Sequence, residues 1–415
     1  LVALGAFSSV ASATPLEEAI KNVDLSGFAR YRYTNDNRDR KADTKAGTND
    51  TAGHAFRMQT SFKAAIDDNF FGVLTLRYAA TDGSGDNNEK RDVNGGIIDG
   101  TDKTNTTNSF GVYEMYLGYK VSNTTITAGK QLIKTFYDDG DIAATGLKAI
   151  STDVSGLTLT AAAYDAIENN SDEVDGPFLK EVTNGTKFHD APANLYYLGA
   201  VGSYDPVSFK VAIANLQEIA TLYGAEAAFS FNVTDDINLN LKGQYVYSDS
   251  DHKKVADADF WAVQAGTKLF GAKFNAGYLE FDAKNKDNDA RNSGKIAFTS
   301  IDANGQLINP AKILNGVMSG GSQYYNNIKG DNDYWFVNAG YDIDKFGLGA
   351  GYTQGKGTSY ALGKERAKRN EWYTQASYKY SKKLNFLTWY AAAKDKKDGE
   401  SFKQKRIRFE AKYSF

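Results

Sequence analysis

The sequence predicts an all-β fold, a transmembrane antiparallel β-barrel of about 18 strands, on three observations. Strands with one apolar and one polar face recur along nearly the whole chain, and short turns alternate with long polar loops. Past the N-terminus, no stretch approaches the ~18 uncharged apolar residues of a membrane helix. The last strand is the clearest case: Ile407, Phe409, Ala411, Tyr413 and Phe415 alternate with Arg406, Arg408, Glu410, Lys412 and Ser414. One greasy and one charged face suit a wall between lipid and water.

The chain has 415 residues, of which 41% are hydrophobic and 24% charged, and only 5 are Pro, so no Pro-rich linker divides it. Closed all-β folds can run this long as one unit, and residues 14–415 are expected to form a single barrel domain. Mean hydropathy is −0.49, compatible with a barrel because only every second strand residue must be apolar. A net charge of −3 with both signs abundant argues against a nucleic-acid partner. The absence of Cys excludes disulfide frameworks and thiolate metal sites and fits export through an oxidising compartment.

Residues 1–13 combine an apolar run with the small-x-small site Ala11-Ser12-Ala13, the pattern of the end of a secretory signal peptide, and Thr14 is the expected first mature residue. A short buried helix is the plainer alternative. Strands are then expected to begin near Asp24, His54, Phe70, Ser109, Thr124, Ala144, Ser155, Asn194, Val207, Thr221, Asp236, Ala258, Ala272, Asn332, Lys345, Asn370, Leu384 and Lys403. Each is close to the ~9–11 residues of a tilted spanning strand, and their even number places both chain ends on one side. Short turns fall at Asp67-Asp68-Asn69, Val121-Ser122-Asn123, Asp205-Pro206 and Ser381-Lys382-Lys383. Long loops cover 35–53, 81–108, 166–193 and 284–331. Short periplasmic turns against long outer loops place the chain in a bacterial outer membrane.

Aromatic and aliphatic residues such as Tyr31, Phe56, Leu74, Tyr113, Leu117, Phe229, Tyr245 and Trp335 are expected to face lipid. Their opposite faces carry Gln59, Glu226, Asn240, Gln244 and Gln375, which a dry core would not tolerate without partners, so the interior is expected to be wet. Closure places the last strand beside the first and gathers Arg406, Arg408 and Lys412 with Arg30, Arg32, Arg57, Lys63 and Arg77 into one basic wall. Like charges kept together in a low-dielectric tube focus a field on passing ions, unless local acids pair them off. The opposing acids are Glu114 and the turn of Asp138, Asp139 and Asp141 between the fifth and sixth barrel strands. Facing the wall across the lumen they would set up a transverse field; an outer acidic turn is the alternative.

Thr14-Pro15-Leu16-Glu17-Glu18-Ala19-Ile20-Lys21, Arg30-Tyr31-Arg32-Tyr33, Ala128-Gly129-Lys130-Gln131, Gly156-Leu157-Thr158-Leu159, Gly202-Ser203-Tyr204-Asp205 and Tyr378-Lys379-Tyr380-Ser381-Lys382-Lys383-Leu384-Asn385-Phe386 resemble the Campylobacter-type major outer membrane porin family over essentially the whole mature chain. The resemblance implies a homotrimeric porin of 18 strands that passes ions and small hydrophilic solutes with a preference for cations, its inward-folded third loop constricting the pore. It requires no cofactor for passage but implies a structural calcium ion, carried over to Asp141, Asp175 and Asp302, with Asp165, Asp172 and Glu280 as alternative ligands. Resemblance to other outer-membrane barrels makes the terminal Phe409, Tyr413 and Phe415 the signal read by the barrel-assembly machinery.

Other signals fail. Gly347-Leu348-Gly349-Ala350-Gly351 matches no phosphate-binding spacing, and Lys356 is followed by Gly357 instead of Ser or Thr. The three histidines, His54, His189 and His252, have no recurring nucleophile pattern, so an enzyme is not expected. The alternative to a channel is a surface adhesin borne on the long loops.

Overall fold

In a computed structural model the described residues are 23–40, 51–84, 90–91, 97–99, 110–138, 140–167, 194–252, 255–284, 299, 306–314, 317–318, 321–322, 332–359 and 365–415. The strands are β1 (Val23–Arg40), β2 (Thr51–Ala65), β3 (Phe70–Ser84), β4 (Lys90–Arg91), β5 (Ile97–Asp99), β6 (Gly111–Val121), β7 (Thr124–Leu132), β8 (Ala143–Ser151), β9 (Leu157–Ile167), β10 (Leu195–Tyr204) and β11 (Val207–Leu216). They continue with β12 (Ala220–Thr234), β13 (Ile237–Ser250), β14 (Asp257–Leu269), β15 (Ala272–Lys284), β16 (Val317–Met318), β17 (Gly321–Ser322), β18 (Asn332–Ile343), β19 (Phe346–Ser359), β20 (Glu365–Lys379), β21 (Leu384–Lys397) and β22 (Glu400–Ser414). The pairs β4–β5 and β16–β17 are small ribbons, and the other strands form one 18-stranded antiparallel sheet.

The sheet closes because β22 pairs with β1 in the register Arg30↔Lys412 and Thr34↔Arg408. At the seam, the Gly27 and Phe415 backbones exchange two hydrogen bonds of 3.0 Å, which leaves no strand edge. Of the eighteen expected strand starts, the furthest from its observed position is Asn370, against a start at Glu365. On one rim the turns are tight; at β2–β3, the Asp67 carboxylate accepts from the backbone N–H groups of Asn69 and Phe70 at 2.8 and 2.7 Å. The opposite rim carries the long connections, although two of its links are short, residues 217–219 and 398–399.

Leu117, Leu147, Leu198 and Leu241 are exposed on the outer face, and in water each would forgo about 1.5–3 kcal/mol of burial, so the surface is built for lipid. Cross-strand rings such as Phe70–Tyr119, Phe346–Tyr378, Trp261–Tyr278 and Trp372–Tyr390 lie 4.6–5.4 Å apart, as interfacial girdles require. Tyr113 departs from expectation. Thr75 pairs with Glu114 and Leu76 with Val112, so Tyr113 is the extra residue of a β-bulge, and both Tyr113 and Glu114 turn inward and are buried.

Candidate functional site: the pore constriction

Two chain segments fold into the lumen. The first, 133–142, joins β7 to β8 and is the inward third loop expected from resemblance. Ile133, Phe136, Tyr137 and Ile142 bury against the inner faces of β10–β12, where Tyr197, Ala214, Leu216 and Leu222 supply an apolar bed. The Tyr137 hydroxyl donates to the Ala212 and Leu222 carbonyls at 2.8 and 3.1 Å, and its burial raises the phenol pKa. Phe136 rests on Gly224, where a side chain of any size would collide with its ring.

Asp138 is fully buried and closes its own turn, accepting from the Thr135 N–H (2.5 Å), the Thr135 hydroxyl (2.6 Å) and the Gly140 N–H (2.6 Å). It shapes the loop and does not present its charge to the lumen. Asp141 does reach the basic wall: its two carboxylate oxygens take Arg57 Nη1 and Arg77 Nη2, each at 2.7 Å. The bulged Tyr113 donates to the same residue, beneath an Arg77 guanidinium 4.1 Å from its ring centre. Glu114 is buried and takes the Thr75 hydroxyl at 2.9 Å and the Leu132 N–H at 3.2 Å. Asp139 lies outside the described residues.

The second segment, 306–314, belongs to the stretch expected to be an outer polar loop, and its inward course corrects that expectation. Leu307, Ile308, Ala311, Ile313 and Leu314 join the same core, over Val246, Phe260, Leu279, Phe281, Tyr334 and Phe336. One end is tied to β13 and to the first segment. Gln244 gives to the Gln306 carbonyl (3.1 Å) and takes the Ile308 N–H (2.7 Å), while the Gln306 side chain gives to the Thr135 carbonyl (3.0 Å). The other end meets Glu371 on β20, whose carboxylate accepts from the N–H groups of Lys312, Ile313 and Leu314 at 2.5, 2.8 and 2.7 Å. Sequence reasoning placed Gln244 on the inner face without its role here, and missed Glu371 and this segment. The apolar run Leu307-Ile308 … Ile313-Leu314 and strands apolar on both faces, such as Tyr334-Trp335-Phe336-Val337, were the available signal.

The rest of the inner wall is the basic sector. Arg30 sits opposite Lys412 on one side and Arg57 on the other, a row of three cations across β22, β1 and β2. Acids interleave with them: Arg32 meets Glu410 at 2.9 Å, and Arg406 grips Asp36 with two bonds of 2.7 Å. Lys63, Arg408 and Lys412 lie over Phe71, Trp389 and Phe28 at 4.5–5.1 Å. Phe409 and Tyr413 face outward as expected, and Phe415 closes the seam.

Calcium does not fit Asp141 here. Both its carboxylate oxygens are already held by guanidinium groups, and a dication would have to sit against Arg57 and Arg77. Asp175 and Asp302 lie outside the described residues, as do residues 1–13, and among the described residues no cluster of three or more His, Asp or Glu could hold a metal ion.

Known structures share this architecture. The chain is similar to OpdQ of Pseudomonas aeruginosa (14% identity, TM-score 0.67, covering 94% of this chain and 99% of that one). It is also similar to OpdK of the same organism (16%, 0.64, 94% and 99%) and to OccAB4 of Acinetobacter baumannii (14%, 0.66, 94% and 98%). At such identities the likeness is one of fold. No curated protein sequence matches the chain. The model of the Campylobacter major outer membrane protein family matches residues 1–415, and the chain, an outer-membrane β-barrel, belongs to that family.

Proposed function

We infer that this porin barrel is a water-filled channel for passive diffusion of ions and small hydrophilic solutes, through an eyelet between the two inward segments and the basic sector. One observation carries the reading: the segments cover the apolar part of the inner wall and, beyond the Asp141 contact with Arg57 and Arg77, leave the charged part, Arg30, Arg32, Arg408 and Lys412, facing the lumen. A plug would have no reason to leave that sector uncovered.

Cation preference, implied by resemblance, does not draw on Asp138, which is buried, nor on an uncompensated Asp141. It rests instead on the carboxylate surplus elsewhere, since the chain is net −3 despite its basic wall. Passage needs no bound calcium. The homotrimer draws support from a shallow apolar concavity of about 730 Å³ on the outer face, lined by Ala149, Ala161, Ala200 and Ala225, whose small side chains let a second barrel approach closely. Insertion by the barrel-assembly machinery follows the resemblance of the terminal strand. The adhesin reading depends largely on loops outside the described residues.

Single-channel recording in a planar bilayer under a salt gradient tests the reading. Stepwise conductance in threes with a cation-favouring reversal potential is the expected result. A folded barrel without conductance would sink it.

A further inference from the structure

The two inward segments are held differently. Both bury apolar side chains in one core; the first is further held by Tyr137 and by Asp141 on Arg57 and Arg77, the second by neutral amides at one end and a single buried carboxylate at the other. Glu371 is 1% exposed on an inward strand face, and three consecutive backbone N–H groups converge on its two oxygens. A buried carboxylate is costly unless its lone pairs are taken up, and consecutive amides forming a nest are well shaped to take them up. Each partner therefore needs the other: the carboxylate would be stranded without the segment, and the three amides would be stranded without the carboxylate.

The geometry reaches across the lumen. Between β13, which carries Gln244, and β20, which carries Glu371, stand β14, β15, β18 and β19, so the segment lies across the inner faces of four intervening strands. Its far end also brings Lys312 to 4.9 Å from the Tyr373 ring and toward Trp389, beside Arg408 of the basic sector. At that end the segment meets the basic sector.

We propose that Glu371 is the latch that sets the pore's width: by holding the amides of 312–314 it keeps the second segment across the lumen and fixes the size cut-off for solutes. This rests on the channel reading above, and Glu371 acts as a positioning residue, with no contact to solute required.

The chain has no Cys, so a single introduced thiol reports the segment without background. Ala311→Cys, at a buried position where a sulfur adds little volume, would be treated with a membrane-impermeant maleimide in the otherwise native protein and together with Glu371→Ala. The expected result is protection with Glu371 present and labelling without it. Single-channel conductance of Glu371→Ala should rise by on the order of twofold and larger polyethylene glycols should enter the pore, because a segment lying across the passage has left it. If Glu371→Ala does not fold, the nearly isosteric Glu371→Gln, which loses charge and one acceptor oxygen, carries the same test. Protection together with unchanged conductance would overturn the latch and show that apolar burial and the Gln244 end hold the segment. Labelling with an unchanged exclusion size would equally overturn it, because the segment would then not limit the passage. Lack of conductance in every variant would refute the channel reading instead, and the labelling result would still decide whether Glu371 holds the segment.

Discussion

The inner wall of this barrel has two sectors that obey the same strand alternation and do opposite things. From β9 to β18 the inward positions include Tyr164, Leu195, Leu216, Leu222, Val246, Phe260, Leu279, Phe281 and Phe336, and the two crossing segments cover them. From β22 through β1 to β3 they are Arg406, Arg408, Lys412, Arg30, Arg32, Arg57 and Arg77, facing water or interleaved acids. The contrast shows that inward polarity in a barrel predicts where water runs, and inward apolarity predicts where another part of the chain must lie.

Predictions about the seam and the covered sector have the largest expected effects. Deleting Phe415 removes both seam hydrogen bonds to Gly27 and, on the resemblance to other outer-membrane barrels, the insertion signal. Little heat-modifiable folded barrel should appear in the membrane fraction, and normal insertion would refute the role. Tyr137→Ala comes next. It removes a fully buried ring and two hydrogen bonds, a loss of about 3–5 kcal/mol to the first segment, so the pore should conduct more while the barrel still folds. Wild-type conductance from that variant would mean that the first segment does not narrow the passage.

Most of the wall was legible in the sequence, and most of the constriction was not. Lipid and water impose period two on every strand, and tight turns such as that of Asp67 mark the ends, so strand starts could be placed from local pattern. The basic sector followed from closure, because joining first strand to last fixes the neighbours of Arg30. What escaped depends on contacts far apart in the chain. Nothing in the acidic turn says that Asp138 bends back onto Thr135 while Asp141 reaches Arg57 and Arg77. The bulge that turns Tyr113 inward adds one residue to a strand whose alternation otherwise reads as regular. The segment at 306–314 sits within a polar stretch whose few apolar residues were outweighed by their neighbours.

The acidic turn separates charge from structure. Asp141→Asn leaves Arg57 and Arg77 without their shared anion, so the reversal potential should move toward anions with the fold unchanged. Asp138→Asn should barely move it and should instead loosen the turn, because an amide cannot accept from Thr135 and Gly140 as a carboxylate does. Equal shifts in selectivity from both variants would contradict the burial of Asp138.

The smallest effect lies where the two sectors meet. Burial lowers the pKa of Lys312, with Arg408 adding to the effect and Glu371 opposing it. A lowered lysine pKa means that the charge is present at neutral pH and is lost as pH rises, earlier than for an exposed lysine near about 10.4. Raising the pH above neutral should therefore remove the Lys312 charge at a lower pH than an exposed lysine would lose it, and the reversal potential should shift toward cations. Lys312→Met, which keeps an apolar stem in contact with Tyr373 and Trp389, should show that shift already at neutral pH and should respond less to alkali than the parent. If parent and variant follow the same pH curve, the Lys312 charge lies off the path of the ions, and the meeting of the two sectors lies away from the narrowest point.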